Sequence, residues 1–286
     1  MPLVITGIRP VNWKNSLSRD LAFLVHGARG GGDDRGVYPV NIANRIDNAS
    51  AQFGTGTINR RITTHGPGIG FPSGLSPNAY RFGAGSQFYG KTAFSMLWQG
   101  TFDGALVDVS PTGELLANGN PDSDYNFLLR LERSAAAGGN QKYIFFPKNG
   151  ADGAGTASIS STSTYARHRV DTVVATYNGA TSRLYVNGNL ETEASTTGSS
   201  SRAACHIWLN DGLARGHQVV CVAAALWDRT LTTAEVVRLG NQPLQQLLVA
   251  APSLADLYVP AAGGGGGSAG FKPAWARNSN VMIGVG

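Results

Sequence analysis

Residues 170–188 read VDTVVATYNGATSRLYVNG. Apolar and polar side chains alternate on both sides of Asn178-Gly179, and β-branched and aromatic residues dominate. This two-residue period is that of a strand with one buried face. Asn-Gly supplies the positive φ that tight hairpin turns need. The dipeptide recurs at Asn187-Gly188, so three strands follow one another with minimal connections. Sheet built this way is antiparallel, because two-residue loops can join only antiparallel neighbours.

The same rhythm extends outward. Strand patterns occupy residues 92–98, 105–109, 125–131, 142–147, 204–209 and 218–227, with a further candidate at 58–63, while 21–25 reads only as a short apolar piece between turn signals. Segment 64–90, rich in Gly, Pro and aromatics, reads as ordered loops and short strands, and 148–164 as a small polar loop. Short strands at this spacing predict an all-β sandwich of two antiparallel sheets.

One helix interrupts the pattern, in ALWDRTLTTAEVVRLGNQP at 225–243. Thr232 with Glu235 makes a capping box, and Leu231 and Val236 hold the positions of a hydrophobic staple. Gly240 suits a left-handed C-terminal stop, with Pro243 just beyond. Val236, Val237 and Leu239 are expected to face the sheet. A second short helix is expected within 244–258, before the five glycines 263–267, which read as a flexible tether.

Composition excludes several classes. Among 286 residues 42% are hydrophobic, enough for a sizeable core, and only 14% are charged, against roughly 25% in an average domain. The net charge of +5 is spread along the chain without a Lys/Arg stripe, so no nucleic-acid partner is expected. No apolar run approaches the ~18 residues of a membrane span, and no membrane insertion is expected. No basic segment followed by a long apolar run opens the chain, so synthesis in a cytoplasm is expected. Cys205 and Cys221 fall in neighbouring predicted strands and are read as two buried thiols.

The order FSMLWQG … RHRVDTVVATYNGATSRLYVNGNLETEAST … CHIWLNDG … VVCVAAALWDRTLTTAEVVRLGNQP resembles the laminin-G-like, concanavalin-A-like jelly-roll family over about residues 90–245. Its motifs are matched by His168, Val174, Thr176, Tyr177, the two Asn-Gly turns, Leu184, Tyr185, Val186, Trp227, Arg229, Leu231, Thr232, Glu235 and Pro243. The resemblance implies a jelly-roll sandwich over residues 1–245, with the capped helix as its small closing helix, and a tether and docking tail over 246–286. It implies fold more than function, since members bind glycans, bind proteins or pad assemblies. Some coordinate Ca²⁺ at the sandwich rim. Asp103, Asp108, Asp152 and Asp211 fall in or near loops but form no clear ligand set; no cofactor is expected. A second resemblance, of a free-standing module with a glycine tether and a closing FKPAWARNSNVMIG, is to virion proteins of tailed bacteriophages.

Catalytic patterns are missing. The chain has no Glu-x-Asp-x-Glu strand and no Gly-x-Ser-x-Gly elbow, and its five histidines lack zinc spacing. Glu191 and Glu193 share one face of a strand, where solvent-facing charges at a sheet edge are expected. Gly27-Ala28-Arg29-Gly30-Gly31-Gly32 lacks the Lys-Ser/Thr of a phosphate cradle and reads as loop. Trp98, Trp208 and Trp227 lie inside strands and are expected in the core. Phe71, Tyr80, Phe82, Phe88 and Tyr89 are the candidate binding aromatics, although core of the first sheet is the favoured assignment for them. Phe271, Trp275, Val281 and Ile283 are the candidate assembly contacts of the tail. Together these features predict a non-catalytic virion protein, a tail-tip or baseplate module contacting a host-surface glycan or pilus and assembling with other virion proteins as an oligomer. A capsid decoration protein and a glycan-active jelly-roll enzyme are the alternatives.

Overall fold

A computed structural model describes residues 11–27, 30–33, 36–39, 43, 51–53, 58–71, 79–84, 88, 90–102, 112–120, 124–133, 141–147, 158–166, 168–196, 206–210, 219–240 and 243–248. In chain order the strands are β1 (Leu21–His26), β2 (Gly30–Asp33), β3 (Gly36–Pro39), β4 (Ala51–Phe53), β5 (Asn59–Thr63), β6 (Gly66–Phe71), β7 (Ala79–Ala84), β8 (Phe94–Phe102), β9 (Thr112–Asn120), β10 (Asp124–Arg133), β11 (Gln141–Phe146), β12 (Ile159–Ser160), β13 (Asp171–Tyr177), β14 (Thr181–Val186), β15 (Asn189–Ser195), β16 (His206–Leu209) and β17 (Val219–Trp227). The helices are α1 (Thr233–Leu239) and α2 (Pro243–Leu247). One sheet runs β15-β14-β13-β8-β17-β6-β5, with β1 also paired to β17, and the other β12-β11-β10-β9-β16-β7-β4. Every pairing is antiparallel. The chain is an all-β, two-sheet antiparallel jelly-roll sandwich, as the alternation at 170–188 predicts.

The opening hairpins form as read. Asn187 and Gly188 both take positive φ, 52° and 83°, the requirement of a two-residue turn whose twist suits its strands. At the other turn only Gly179 does so, and the Asn178 side chain accepts from the amides of Ala180 and Thr181. Among the described residues β9 is a strand that no pattern indicated; residues 105–109, where one was expected, lie outside them. Gly30-Gly31-Gly32 is not a loop: it is part of β2, paired to β3.

The core between the sheets is aromatic. Phe94 stacks on Phe127 at 4.6 Å and meets Phe145 and Tyr177, while Trp98 packs against Tyr143. Cys221 is buried here, and burial pushes its thiol far above the usual range; Cys205 lies outside the described residues. A second cluster on the outer face of the eight-stranded sheet joins Leu97, Val174, Tyr185 and Trp227 to Val236 and Leu239 of α1 and Leu247 of α2. Leu248 bridges back to Val11, so the packed unit reaches at least Leu248. Among the described residues no helix is long and apolar enough to cross a membrane.

The closing helix carries its capping box and more. Thr232 Oγ1 accepts from the Glu235 amide, and the Glu235 carboxylate accepts from the Thr232 amide and from both terminal nitrogens of Arg229, at 2.8 and 2.7 Å. Arg229 in turn donates to the carbonyls of Arg19 and Ser16, so it ties α1 to the N-terminal segment. Arg229 and the Thr232 cap lower the Glu235 pKa from 4.5 to about 2. A carboxylate with a depressed folded pKa stabilises the fold above its unfolded value. That contribution is expected to fade as pH falls from about 4.5 towards 2. Acid-melting curves of the wild type and of Glu235→Gln should therefore converge across this window and separate above it.

Two expectations at the helix fail for geometric reasons. Val237 is 56% exposed, because with Val236 and Leu239 turned inward it stands on the opposite side of a seven-residue helix. Gly240 is right-handed, with φ −52° and ψ −39°. Its glycine is required by close approach instead: a Cβ there would lie 2.6 Å from the Gly188 nitrogen and 2.7 Å from the Gly188 Cα. The Asn187-Gly188 turn and the helix end thus fit together only because residue 240 has no Cβ. Gly240→Ala is expected to destabilise the fold by about 1–3 kcal/mol, and a denaturant midpoint unchanged from wild type would refute this packing.

Candidate functional site

The candidate site lies on the outer face of the seven-stranded sheet. Register determines which side chains stand in line there. Phe146 pairs with Leu128, Leu128 with Ala117, Ala117 with Trp208, and Trp208 with Arg81. Leu128, Ala117, Phe146 and Trp208 form a cluster separate from the inter-sheet core, with Tyr125 packed against it. The result is one straight row across β11, β10, β9, β16 and β7.

Both rings of the row are held from several sides. Trp208 Nε1 donates to the Gly119 carbonyl at 2.7 Å, His206 meets the indole edge-on, and the Arg81 guanidinium lies 5.7 Å from its centroid. Phe146 receives Tyr125 edge-on at 5.9 Å, and the Arg130 guanidinium lies 4.6 Å from its centroid. Each cation–π contact is worth about 0.5–1 kcal/mol at an accessible site. Trp208 and Phe146 are only 8% and 7% exposed. Both rings are therefore nearly enclosed, and their neighbours fix them in place.

Charged groups flank the Phe146 end. Arg130 is cross-strand to Glu114, and its Nη2 is 4.0 Å from the Glu132 carboxylate. Arg130 Nε is buried and makes no hydrogen bond, while the side chain as a whole keeps partial exposure. Burial is the main cause that raises the Tyr125 phenol above its usual value, with Arg130 opposing and Glu114 adding to it. Tyr125 is thus a neutral donor and acceptor at physiological pH. The partly exposed Arg130, Glu132 and Tyr125 can hydrogen-bond hydroxyl or carboxylate groups, contacts that binding sites use for orientation.

Other acidic groups are engaged within the fold. Asp171, 0% exposed at its side chain, accepts from Arg169 Nε at 2.8 Å, Asn187 Nδ2 at 2.9 Å and the Tyr143 hydroxyl at 3.1 Å. Glu191 accepts from the Tyr165 hydroxyl, Thr162 Oγ1 and the Ser163 amide. Glu193 pairs with Arg183 on β14, at the sheet edge expected for it. Among the described residues no three His, Cys, Asp or Glu side chains group as metal ligands; Asp103, Asp108, Asp152 and Asp211 lie outside them.

The aromatic candidates read from the sequence are not surface groups. Phe71, Tyr80, Phe82 and Phe88 are fully buried between the sheets, where Phe71 packs on Tyr80, Phe82 on Phe23 and Phe88 on Phe127. Their segment forms β6 and β7, which turn these rings inward. Tyr89 and the tail residues Phe271, Trp275, Val281 and Ile283 lie outside the described residues. Trp98, Trp208 and Trp227 are all buried as expected, Trp98 between the sheets and Trp227 and Trp208 each in a cluster on the outer face of its own sheet. Tyr125, Arg130 and Phe146 were within recognised strand patterns, but nothing in those patterns marked which side faces out.

No protein-family model matches the chain, and no curated protein matches it in sequence. Solved structures do match in fold. A ganglioside-dependent botulinum neurotoxin type C structure aligns over 78% of this chain and 51% of its own, with 11% identity and TM-score 0.58. Domain 4 of an extracellular arabinanase from Geobacillus stearothermophilus, solved with arabinotriose, aligns over 78% of this chain and 98% of its own, with 11% identity and TM-score 0.55. Trypanosoma rangeli sialidase aligns over 80% of this chain and 34% of its own, with 16% identity and TM-score 0.52. The chain therefore spans about a third to a half of the sialidase and the neurotoxin, and nearly all of the arabinanase domain. At these identities the likeness is one of fold: the sandwich read from the laminin-G-like pattern is shared with these domains.

Proposed function

We propose that this chain is a non-catalytic carbohydrate-binding module whose site is the outer face of the seven-stranded sheet. The observation that carries this reading is the pair of preformed ring–guanidinium stacks, Phe146–Arg130 and Trp208–Arg81, in one cross-strand row. Supporting it, solved structures of similar fold include complexes with arabinotriose and with a sialylated ligand, and one tied to gangliosides. The test is a printed glycan array probed with the full chain. Binding to a defined sugar class supports the reading, and absence of signal on every class overturns it.

The finer reading is that the module is carried by a tailed-phage virion, at the tail tip or baseplate, oligomeric with other virion proteins, where it contacts a host-surface glycan or pilus. It rests on the resemblance of the tether and closing segment, and capsid decoration is its alternative. Locating the chain in particles by electron microscopy separates these: density at the tail tip supports it, density on the capsid lattice supports decoration, and absence from particles removes both.

An enzyme reading is favoured by one observation. Glu114 and Glu132 stand on the outer face of adjacent strands as diagonal neighbours, which places two carboxylates side by side on one sheet face, the residue pair that glycosidases use. Hydrolysis of the bound glycan that is abolished in both Glu114→Gln and Glu132→Gln would establish the enzyme; an uncleaved glycan after prolonged incubation supports the binding module.

A further inference from the structure

We infer that residues 159–165 form a strap over one edge of the sandwich, closed by Glu191 and able to lift while both sheets stay folded. The inference is independent of the carbohydrate reading. β12 and β15 each end the strand order of their sheet, so among the described residues this edge is joined by side chains rather than by a ladder. Glu191 of β15 supplies most of the joining. Its carboxylate accepts from the Tyr165 hydroxyl, from Thr162 Oγ1 at 2.7 Å and from the Ser163 amide at 3.0 Å, and its carbonyl accepts from Thr162 Oγ1 at 3.3 Å. Thr192 Oγ1 adds one bond, to the Ser160 carbonyl. Burial would raise the Glu191 pKa, yet the bonds from Tyr165, Ser163 and Thr162 hold it below the usual carboxylate value. The acceptor is therefore charged, and its bonds are of the stronger, charge-assisted kind.

Behind the strap the sheets have a separate tie. The Tyr143 hydroxyl of β11 donates to Asp171, which is fully buried and also held by Arg169 and Asn187. An outer Tyr165–Glu191 bond and an inner Tyr143–Asp171 bond thus stand one behind the other, with the two rings 5.1 Å apart. The outer one belongs to a segment whose Thr162, Ser163 and Thr164 are exposed. Its own hold on β11 is short: β12 pairs through two residues, and beyond them the Ser161 and Tyr165 amides donate to the carbonyls of Tyr143 and Gln141. A unit with few buried contacts, closed mainly through one side chain, opens below the cost of global unfolding.

The test is amide hydrogen exchange of the full chain, as wild type, Glu191→Ala and Tyr143→Phe, with melting curves to verify that each is folded. The readouts are the Ser161 and Tyr165 amides, whose acceptors lie on β11 and survive both substitutions. In the wild type they should exchange together and faster than the amides of β13. Glu191→Ala should speed them by about tenfold or more, the weight of a hydrogen bond to a charged group. Tyr143→Phe keeps the ring and removes the inner hydroxyl, a bond present whether the strap is closed or lifted. It should speed the β13 amides by about fivefold or more and leave Ser161 and Tyr165 within about twofold of wild type. Strap amides that exchange at the β13 rate in the wild type, or follow β13 in Tyr143→Phe, would show that no separate strap opens. Strap amides unmoved by Glu191→Ala would remove Glu191 as its closure, and β13 amides unmoved by Tyr143→Phe would remove the inner tie.

Discussion

Asp171→Ala is expected to lower the unfolding free energy by about 3–5 kcal/mol, the range for removing one member of a buried ionic network. Its carboxylate sits at the start of β13 in one sheet, bonds the Tyr143 hydroxyl of β11 in the other, and holds Asn187 in the hairpin turn. The Asn187 side chain also accepts from the Thr172 amide, so the turn is fastened at two points. Without the carboxylate, the Tyr143 hydroxyl and the Asn187 amide lose their buried acceptor, and each orphaned group costs about 1–3 kcal/mol. Arg169 is half exposed and stays hydrated by water when its partner is lost. Arg169→Ala should therefore cost much less, about 1 kcal/mol or below. Chemical denaturation of the two variants side by side checks the asymmetry, and equal losses would remove Asp171 from its role as the tie between the sheets.

The double variant Arg81→Leu/Arg130→Leu is expected to bind its glycan at least a hundredfold more weakly, roughly 3 kcal/mol. The Arg81 and Arg130 guanidinium groups stack on the Trp208 and Phe146 rings, and Arg130 Nε is buried without a hydrogen bond. Neither arginine belongs to the inter-sheet core, so the melting temperature should move by only a few degrees. Titration calorimetry against the array-positive glycan reads the change. Undiminished affinity in a folded double variant would place the binding surface elsewhere.

How much of this was legible follows from what each pattern encodes. The alternation at 170–188 and its two Asn-Gly turns specify local pairing, and β13, β14 and β15 form as read. The capping box is equally local and is present atom for atom at Thr232 and Glu235. Long-range geometry was not legible. The need for Gly240 comes from Gly188, far away in sequence, and no local rule contains that approach. The aromatics of 71–88 sit among turn residues, so core is the favoured assignment for them but a binding role stays open; pairing of β6 with β17 and β7 with β16 turns Phe71, Tyr80 and Phe82 inward. Trp208 shows a related limit. It is buried as a strand tryptophan should be, but alternation against Ile207 and Leu209, which face the inter-sheet core, sends it to the other side. A strand that is apolar on both faces gives no signal for which face carries a site.

The placement of the site is tested most directly by the indole N–H resonances during a glycan titration. Five tryptophans are present, and Trp208 alone among Trp98, Trp208 and Trp227 lies on the outer face of the seven-stranded sheet. With the array-positive glycan, the Trp208 Nε1–H signal is expected to shift progressively to saturation while those of Trp98 and Trp227 stay fixed. A saturable titration that leaves Trp208 unmoved would contradict the assignment of this face as the binding site.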